Sequence, residues 1–428
     1  MTFICYPKCT TWKLSVQALR KGFPALGHRN FRLFWFGQCI SLVGTWMQTI
    51  GQSWLVLQLT NSALKLSLVS TIQFLPMMVF ALFAGTLVDK FPKRRVLIIT
   101  QTCFAILAAV LASLTYFHVV QYWHILVLAF LLGVINTIDM PTRQSFFVEM
   151  VGKEDLMNAI ALNSSIFNLA RIIGPAVAGL LIGLFGIAIC FYLNALSFVA
   201  VIAGLWMIRI PVKLVQKQAG AFQHILPDVR EGLRYIGQNK AILQPLLLMA
   251  IISAFVMNFN VLIPVYATQN LGSNATEYGF LMTCMGIGSF LGAVIIAAKS
   301  KSGPKLKFLV AGALGMSVFL ALLGFEKNYV IACITLFVIG LCSIVFTTMV
   351  NTTIQINSAD HMRGRVMSVY SLVFGGVIPI GSLIAGNVSE HTGAPNAMII
   401  FGVIGILSVS CTIYLMRKHN PDAGTPAE

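Results

Sequence analysis

The chain has 428 residues, of which 57% are hydrophobic and only 10% are charged, and its formal charge at pH 7 is +16. Water-soluble globular domains carry about 25% charged residues, so this composition excludes that class and indicates a protein with many membrane-spanning helices. All but three of the 29 Lys and Arg residues fall on one predicted side of the membrane, so the positive-inside rule explains the basic charge without a nucleic-acid partner.

Twelve runs of mostly apolar residues have about the 20-residue length that crosses the hydrocarbon of a bilayer. They cover residues 34–57, 66–88, 96–117, 122–140, 158–184, 188–208, 245–266, 278–298, 308–325, 330–351, 366–388 and 397–416. The sequence therefore predicts an all-α polytopic protein with 12 transmembrane helices. With both termini in the cytoplasm, only Lys65 and Lys327 face outside, and Arg171 lies within a helix. This predicts a multi-pass protein of the plasma membrane.

One long loop divides the spans six and six. The predicted order is a cytoplasmic N-terminal segment (1–33), a six-helix bundle (34–208), a cytoplasmic linker (209–244), a second bundle (245–416) and a cytoplasmic tail (417–428). Apolar residues recur at helical spacing in the linker: Phe222, Leu226, Val229, Leu233 and Ile236. They favour an amphipathic helix on the membrane surface, and a partly ordered linker is the alternative. Two similar halves joined in this way are typical of transporters built as parallel repeats.

Polar side chains lie at intervals of three and four residues in several spans. The candidate cavity residues are Gln38, Thr45, Gln48 and Gln52 in span 1, Asn136 in span 4, Asn168 in span 5, Asn258 and Asn260 in span 7, and Thr348 and Asn351 in span 10. A polar side chain in hydrocarbon is costly unless it faces the bundle interior or water. These stripes therefore predict a substrate cavity, and hydrogen bonding between helices is the alternative. Pro264, near Asn258 and Asn260, predicts a bend in span 7.

Two charged residues are placed inside predicted spans as candidates for proton transfer or ion pairing. Asp139 lies one to two turns from the predicted cytoplasmic end of span 4, and Arg171 lies near the middle of span 5. Asp139 can pair with Arg143, four residues later on the same helix face, or with Arg171 at a different depth. A carboxylate in a low-dielectric site is also a candidate proton carrier.

The stretch "GPAVAG" (174–179) in span 5 combines small residues with a proline. Gly174 and Gly179 permit close helix approach, and Pro175 removes a backbone donor, which together allow a bend.

The end of span 2 and the loop after it carry a charged signature: Gly85, Asp89, Lys90, Pro92, Lys93, Arg94 and Arg95. This run resembles the signature between helices 2 and 3 of the major facilitator superfamily. Further stretches, "NFRLFWFGQCISLVGTWM", "DMPTRQSFF", "NAIALNSSIFNLARIIGPAVAGLL" and "DHMRGRVMSVYSLVFGG", resemble its siderophore-export and macrolide-efflux branch, the transmembrane secretion effectors. The resemblance implies two pseudo-symmetric six-helix bundles in the inner membrane of a bacterium. It also implies export of a hydrophobic or amphipathic small molecule by proton antiport.

Asp89 has a predicted mechanistic role as an electrostatic latch. The N-terminus of span 11, near Arg365, is predicted on the cytoplasmic side of the membrane, as is Asp89. A carboxylate is favoured at a helix N-terminus. Asp89 would hold the two bundles together there, assisted by Arg143 or Arg365.

The sequence holds no catalytic Ser/His/Asp arrangement, no metal-spaced His or Cys set and no Walker-type phosphate loop. It therefore predicts no enzyme, no cofactor and no metal site. The expected partners are a small-molecule substrate, protons and the lipid bilayer, for a chain that acts as a monomer. An importer or lipid flippase on the same fold is the first alternative, and a membrane receptor or enzyme is the second.

Overall fold

The computed structural model describes residues 23–88, 91–209, 225–299 and 306–419, and every long element in these ranges is an α-helix. A short 3₁₀ turn, Pro24–Gly27, comes first. The α-helices are α1 (Arg29–Thr60), α2 (Ala63–Val88), α3 (Lys93–Tyr116), α4 (Tyr122–Val151), α5 (Leu156–Phe185), α6 (Ala188–Met207), α7 (Ile225–Gln238), α8 (Lys240–Phe255), α9 (Phe259–Gln269), α10 (Ala275–Lys299), α11 (Leu306–Leu323), α12 (Tyr329–Asn357), α13 (Arg363–Gly376), α14 (Ile378–Thr392) and α15 (Ala394–His419).

Eleven helical segments in the described ranges are long and apolar enough to cross a membrane, counting α8 with α9 and α13 with α14 as one span each. The twelfth predicted span is α1, which has 32 residues but a low mean hydropathy because it carries its polar stripe. These helices form the two six-helix bundles expected of the fold, with α1–α6 in the first and α8–α15 in the second.

Within the first bundle, α1 packs closely on α6 through glycines at seven-residue spacing. A side chain at Gly37 would meet the Cα of Val201 at 2.9 Å, and one at Gly44 would meet the Asn194 side chain at 2.6 Å. The next member of the series, Gly51, contacts the ring of Phe191. Small residues allow helix backbones to approach closely in a membrane, where there is no hydrophobic force between helices.

Two seams join the bundles, α5 with α10 and α2 with α14. A Cβ at Gly279 would lie 2.5 Å from the carbonyl oxygen of Pro175, and one at Gly386 would collide with the Ser67 hydroxyl. The close approach of the helices at both seams therefore requires glycine at these two positions.

Spans 7 and 11 are each broken into two helices. The break in span 7 lies between Phe255 and Phe259, and Pro264 lies inside the second helix, α9. The bend predicted at Pro264 is therefore displaced by about two turns. Span 11 breaks at Val377, two residues before Pro379, and Pro175 lies inside an uninterrupted α5.

Helix α4 is longer than its apolar run predicts, because it continues through Pro141 and a polar stretch to Val151. Asp139 consequently lies 12 residues, or about 18 Å, before the helix end, and not one to two turns from it.

The linker contains α7, of which Ile236 is buried and Leu233 is exposed. Tyr235 accepts a hydrogen bond from the Ala359 amide, and Glu231 pairs with Arg365 at 2.8 Å. The linker helix is therefore attached to the second bundle. Phe222, the first residue of the predicted amphipathic pattern, lies outside the described residues.

Candidate functional site

The hydrogen bonds between the two bundles all lie in one half of the described part of the molecule. This half, called the closed half below, contains the connections at 61–62, 186–187 and 270–274, and the opposite half, called the basic half, contains the connections at 152–155 and 358–362. The five bonds are Ser62 to Glu390, Leu64 to Glu390, Thr71 to Pro379, Thr276 to Gly179 and Thr283 to Ile172.

Glu390, near the end of α14, contacts the N-terminus of α2 across the seam. Its Oε2 accepts from the Ser62 hydroxyl at 3.0 Å and from the Leu64 amide at 3.2 Å. Ser62 itself accepts from the Lys65 amide. A carboxylate is favoured at this position because the first amides of a helix lack intrahelical partners and carry the positive end of the helix dipole.

The contact faces of the seam helices change from buried to exposed on passing toward the basic half. On α10, Gly279 and Gly286 are buried but Phe290 is exposed, and on α2, Thr71 is buried but Met78 is exposed. The two bundles therefore separate beyond the seams, and a gap between them opens toward the basic half.

A small polar pocket lies where the broken spans 7 and 11 face α2. Ser70, Ser253, Asn258, Asn260 and Ser382 supply its polar lining. Asn258 donates to the Ala254 carbonyl at 2.7 Å, and its Oδ1 accepts from Ser382 at 3.4 Å. The Asn258 side chain thus satisfies a carbonyl that the break leaves free, and it joins the two broken spans.

A second polar cluster is centred on Asp139, inside the first bundle. Asp139 is 2% exposed and accepts from Thr100 at 2.6 Å and from Gln101 at 2.9 Å. Arg143 forms an ion pair with Asp139 and also donates to the Gln38 side chain. The cluster therefore connects α1, α3 and α4, and Arg171 is not part of it.

Arg171 lies at the inner end of the gap, with the backbone of α10 packed against it at Gly286. Its Nε and Nη2 atoms are buried and have no hydrogen-bond partner among the described residues.

The structure divides the predicted cavity residues into two groups. Gln38 and Gln48 are buried in the first bundle, where Gln48 accepts from Asn194 at 2.6 Å and Gln38 accepts from Arg143, so these two bond between helices and do not line the gap. The exposed members are Thr45, Asn136 and Asn260, and the half-buried members are Gln52, Asn168, Thr348 and Asn351. Asn258 is buried at the span 7 break.

The cations that follow span 2 have partners inside the first bundle. Lys93 pairs with Glu149 at 3.0 Å, and Arg94 donates to the carbonyls of Leu205 and Trp206 at the end of α6. A cation at a helix C-terminus is favourable for the same reason that an anion is favourable at an N-terminus.

The remaining residues of the signature have mixed outcomes. Pro92 precedes α3, Arg95 is exposed, and Gly85 lies in the last turn of α2. Asp89 and Lys90 lie outside the described residues. Because Arg143 pairs with Asp139 and Arg365 pairs with Glu231, both have partners other than the proposed latch acid.

Several residues of these clusters were not predicted, namely Ser62, Thr100, Gln101, Ser382 and Glu390. Serine and threonine are common in spans, and Glu390 lies at a predicted helix end, so only their tertiary neighbours distinguish them. Among the described residues, no group of three His, Cys, Asp or Glu side chains could hold a metal ion.

Comparisons with known proteins agree with this geometry. A family model described as transmembrane secretion effector matches residues 21–425. The staphyloferrin A transporter of Staphylococcus aureus is 26% identical over 90% of this chain and 96% of its own length. The multidrug efflux pump Tap of Mycolicibacterium fortuitum is 24% identical over 91% and 96%. A bacterial homologue of the human lysosomal transporter Spinster has a similar fold, with a TM-score of 0.74 over 93% of this chain and 98% of that chain at 11% identity.

Proposed function

The chain belongs to the transmembrane secretion effector family of the major facilitator transporters, and from this we propose that it exports a hydrophobic or amphipathic small molecule, siderophore-like or drug-like, by proton antiport and alternating access. Two relatives support the substrate type, since their names describe transport of a siderophore and efflux of multiple drugs.

The observation that carries the proposal is the asymmetry between the two halves of the interface. The bundles touch along α5 with α10 and along α2 with α14 in the closed half, and their contact faces are exposed in the basic half. Such an arrangement gives a small molecule access from one side only. A rocking motion of one bundle against the other would exchange the closed and open sides.

The orientation follows from the distribution of positive charge. The basic half carries nearly all Lys and Arg of the loops, and the positive-inside rule assigns it to the cytoplasm. The gap therefore faces the cytoplasm, where an exported molecule is loaded, and both termini are cytoplasmic.

Asp139 is our candidate for the proton-coupling residue. It is a buried acid within a span, and its ion pair with Arg143 couples its charge to a neighbour that is partly exposed. Protonation of Asp139 would release Arg143 and Gln38, which connects proton binding to the packing of α4 on α1.

Transport into everted membrane vesicles tests the function. With an acidic lumen, we expect a panel of siderophores, macrolides and dyes to contain compounds that accumulate and that leave when a protonophore collapses the gradient. Absence of gradient-sensitive movement for every compound would overturn the proposal. Movement in the opposite direction would show an importer, and movement of labelled lysophospholipid alone would show a flippase.

A further inference from the structure

Arg171 is a cation at the middle of a membrane span without an ion-pair partner in the described part of the chain. It lies 15 residues after the start of α5 and 14 before its end. The salt bridges of the described residues engage other cations, and Asp139, the buried acid, is paired with Arg143. An arginine at this depth is costly, so it is retained where it meets a partner or a watery cavity.

Two nitrogens of Arg171, Nε and Nη2, are buried and have no hydrogen-bond partner among the described residues. These atoms form one edge of the planar guanidinium, and their N–H groups point in the same direction. That edge matches the two oxygens of a carboxylate, which it binds through two parallel hydrogen bonds. The vacant donors are thus arranged for one particular shape of anion.

The helical position of Arg171 directs it between the two bundles. Gly174 contacts Trp46 of α1, whereas Ile172 contacts Gly286 of α10. At 3.6 residues per turn, Arg171 points between these two directions. Its side chain therefore leaves α5 toward the space enclosed by α1 of the first bundle and α10 of the second.

The same face of α5 shows where the gap ends. Ser164 is exposed and Asn168 is half-buried, whereas Pro175 and Ala178 are buried. Arg171 lies at the change from exposed to buried, which is the innermost point that a molecule entering from the basic half would reach.

From this placement we propose that Arg171 binds a carboxylate of the transported molecule at the inner end of the gap. The inference rests on the proposed function and deepens it by naming the substrates as amphipathic carboxylic acids. The paired donors are covered in this conformation, but the side chain as a whole is partly exposed. The proposed contact therefore requires a rotation about the terminal side-chain torsions that turns the covered edge toward the gap.

The test compares a carboxylic acid with its ester on the purified full-length protein. The probes are rhodamine B, which has a free carboxylate, and rhodamine B ethyl ester, and their binding is measured by fluorescence anisotropy. We expect wild type to bind the acid about tenfold more tightly than the ester, as a charge-assisted bidentate contact predicts. R171M should abolish this preference and leave ester binding unchanged, and R171K should keep only part of it because an ammonium lacks the paired edge.

R32M is the matched control, because Arg32 is exposed at the start of α1 and should leave the preference intact. The inference is overturned if wild type shows no preference for the acid, or if the preference survives in R171M. A purely structural role of Arg171 would weaken acid and ester equally, which also overturns it. Binding is measured without a gradient, so a loss of vesicle transport alone would refute export and leave this result standing.

Discussion

At the scale of single residues, the buried acid Asp139 is held by neighbours on its own helix and on α3. Asp139 has donors on α3 and α4, and Arg143 extends its ion pair to α1 through Gln38. Removing one partner of such an ion pair strongly lowers the stability of the fold, because the other charge is left without its counter-ion in a largely buried position. The cluster can therefore be separated into its structural and proton-coupling roles by substitution.

D139N should lower stability and abolish proton-driven efflux. The variant leaves Arg143 without its acid, and breaking a buried pair costs about 3 kcal/mol. Thermal unfolding of the purified protein measures the first effect, and everted vesicles measure the second. In D139N/R143Q the unpaired charge is removed, so stability should recover while coupling stays lost. Restored coupling in the double variant would confine Asp139 to a structural role.

E390Q should loosen the closed half. The amide can still accept hydrogen bonds, but it loses the attraction of a charge for the N-terminus of α2, which is worth about 0.3–1 kcal/mol. In a variant without native cysteines, a cysteine at buried Ser67 reports opening through its labelling rate with an impermeant maleimide. We expect labelling to become two- to fivefold faster. E326Q, which changes an acid whose carboxylate makes no described contact across the seam, should leave the rate unchanged.

At the scale of helices, the seams depend on the absence of side chains at a few positions. Gly279 and Gly179 bring the backbones of α5 and α10 together, and Thr276 adds a hydrogen bond to the Gly179 carbonyl at 2.9 Å. In the proposed alternating-access cycle, such contacts would form when this half closes and would be lost when it opens. Their effect is therefore on the balance between conformations more than on the fold of either bundle.

G279L should block closure of the α5–α10 seam. Its Cβ would lie 2.5 Å from the carbonyl oxygen of Pro175, a backbone atom that cannot move without displacing α5. We expect at least a tenfold loss of transport in vesicles at normal membrane expression. G364A is the control, because a side chain at Gly364 meets nothing within 4 Å. Full transport by G279L would show that the seam need not close in the cycle.

At the scale of the whole molecule, spans 2 and 11 pack against each other through α2 and α14 and form a latch in the closed half. There the carboxylate near the end of span 11 binds the N-terminus of span 2. The latch predicted for Asp89 is its reciprocal, with an acid after span 2 and the N-terminus of span 11. Two such contacts would not form together, so they would stabilise opposite conformations.

D89N should lower transport without lowering membrane expression, because it removes the charge that favours closure of the basic half. A cysteine at exposed Ser164 should then be labelled faster from the cytoplasmic side. Combining D89N with E390Q should bring the labelling rates of both halves back toward wild type. Unchanged transport and labelling in D89N would remove the latch role.

The sequence predicts the number and order of the spans well, because hydropathy over about 20 residues reflects the thickness of the bilayer. It misses the last 11 residues of α4, where a proline and a polar run interrupt the apolar signal of a continuous helix. The sequence predicts the bend of span 7 at Pro264, because proline is the recognisable helix breaker there. The structure has the break at Asn258 instead. The contacts of Gln48 and Glu390 could not be predicted from the sequence, because their partners, Asn194 and Ser62, are 146 and 328 residues away.

The low hydropathy of α1 has a consequence for biosynthesis. This first span enters the membrane with its buried glutamines unpaired, because Asn194, the partner of Gln48, lies 146 residues later. At about 5–20 residues per second, the ribosome needs roughly 7–30 s to supply it. During that interval the hydropathy of α1 favours insertion less than that of the later described spans, so we expect its stable residence in the bilayer to depend on the arrival of α6.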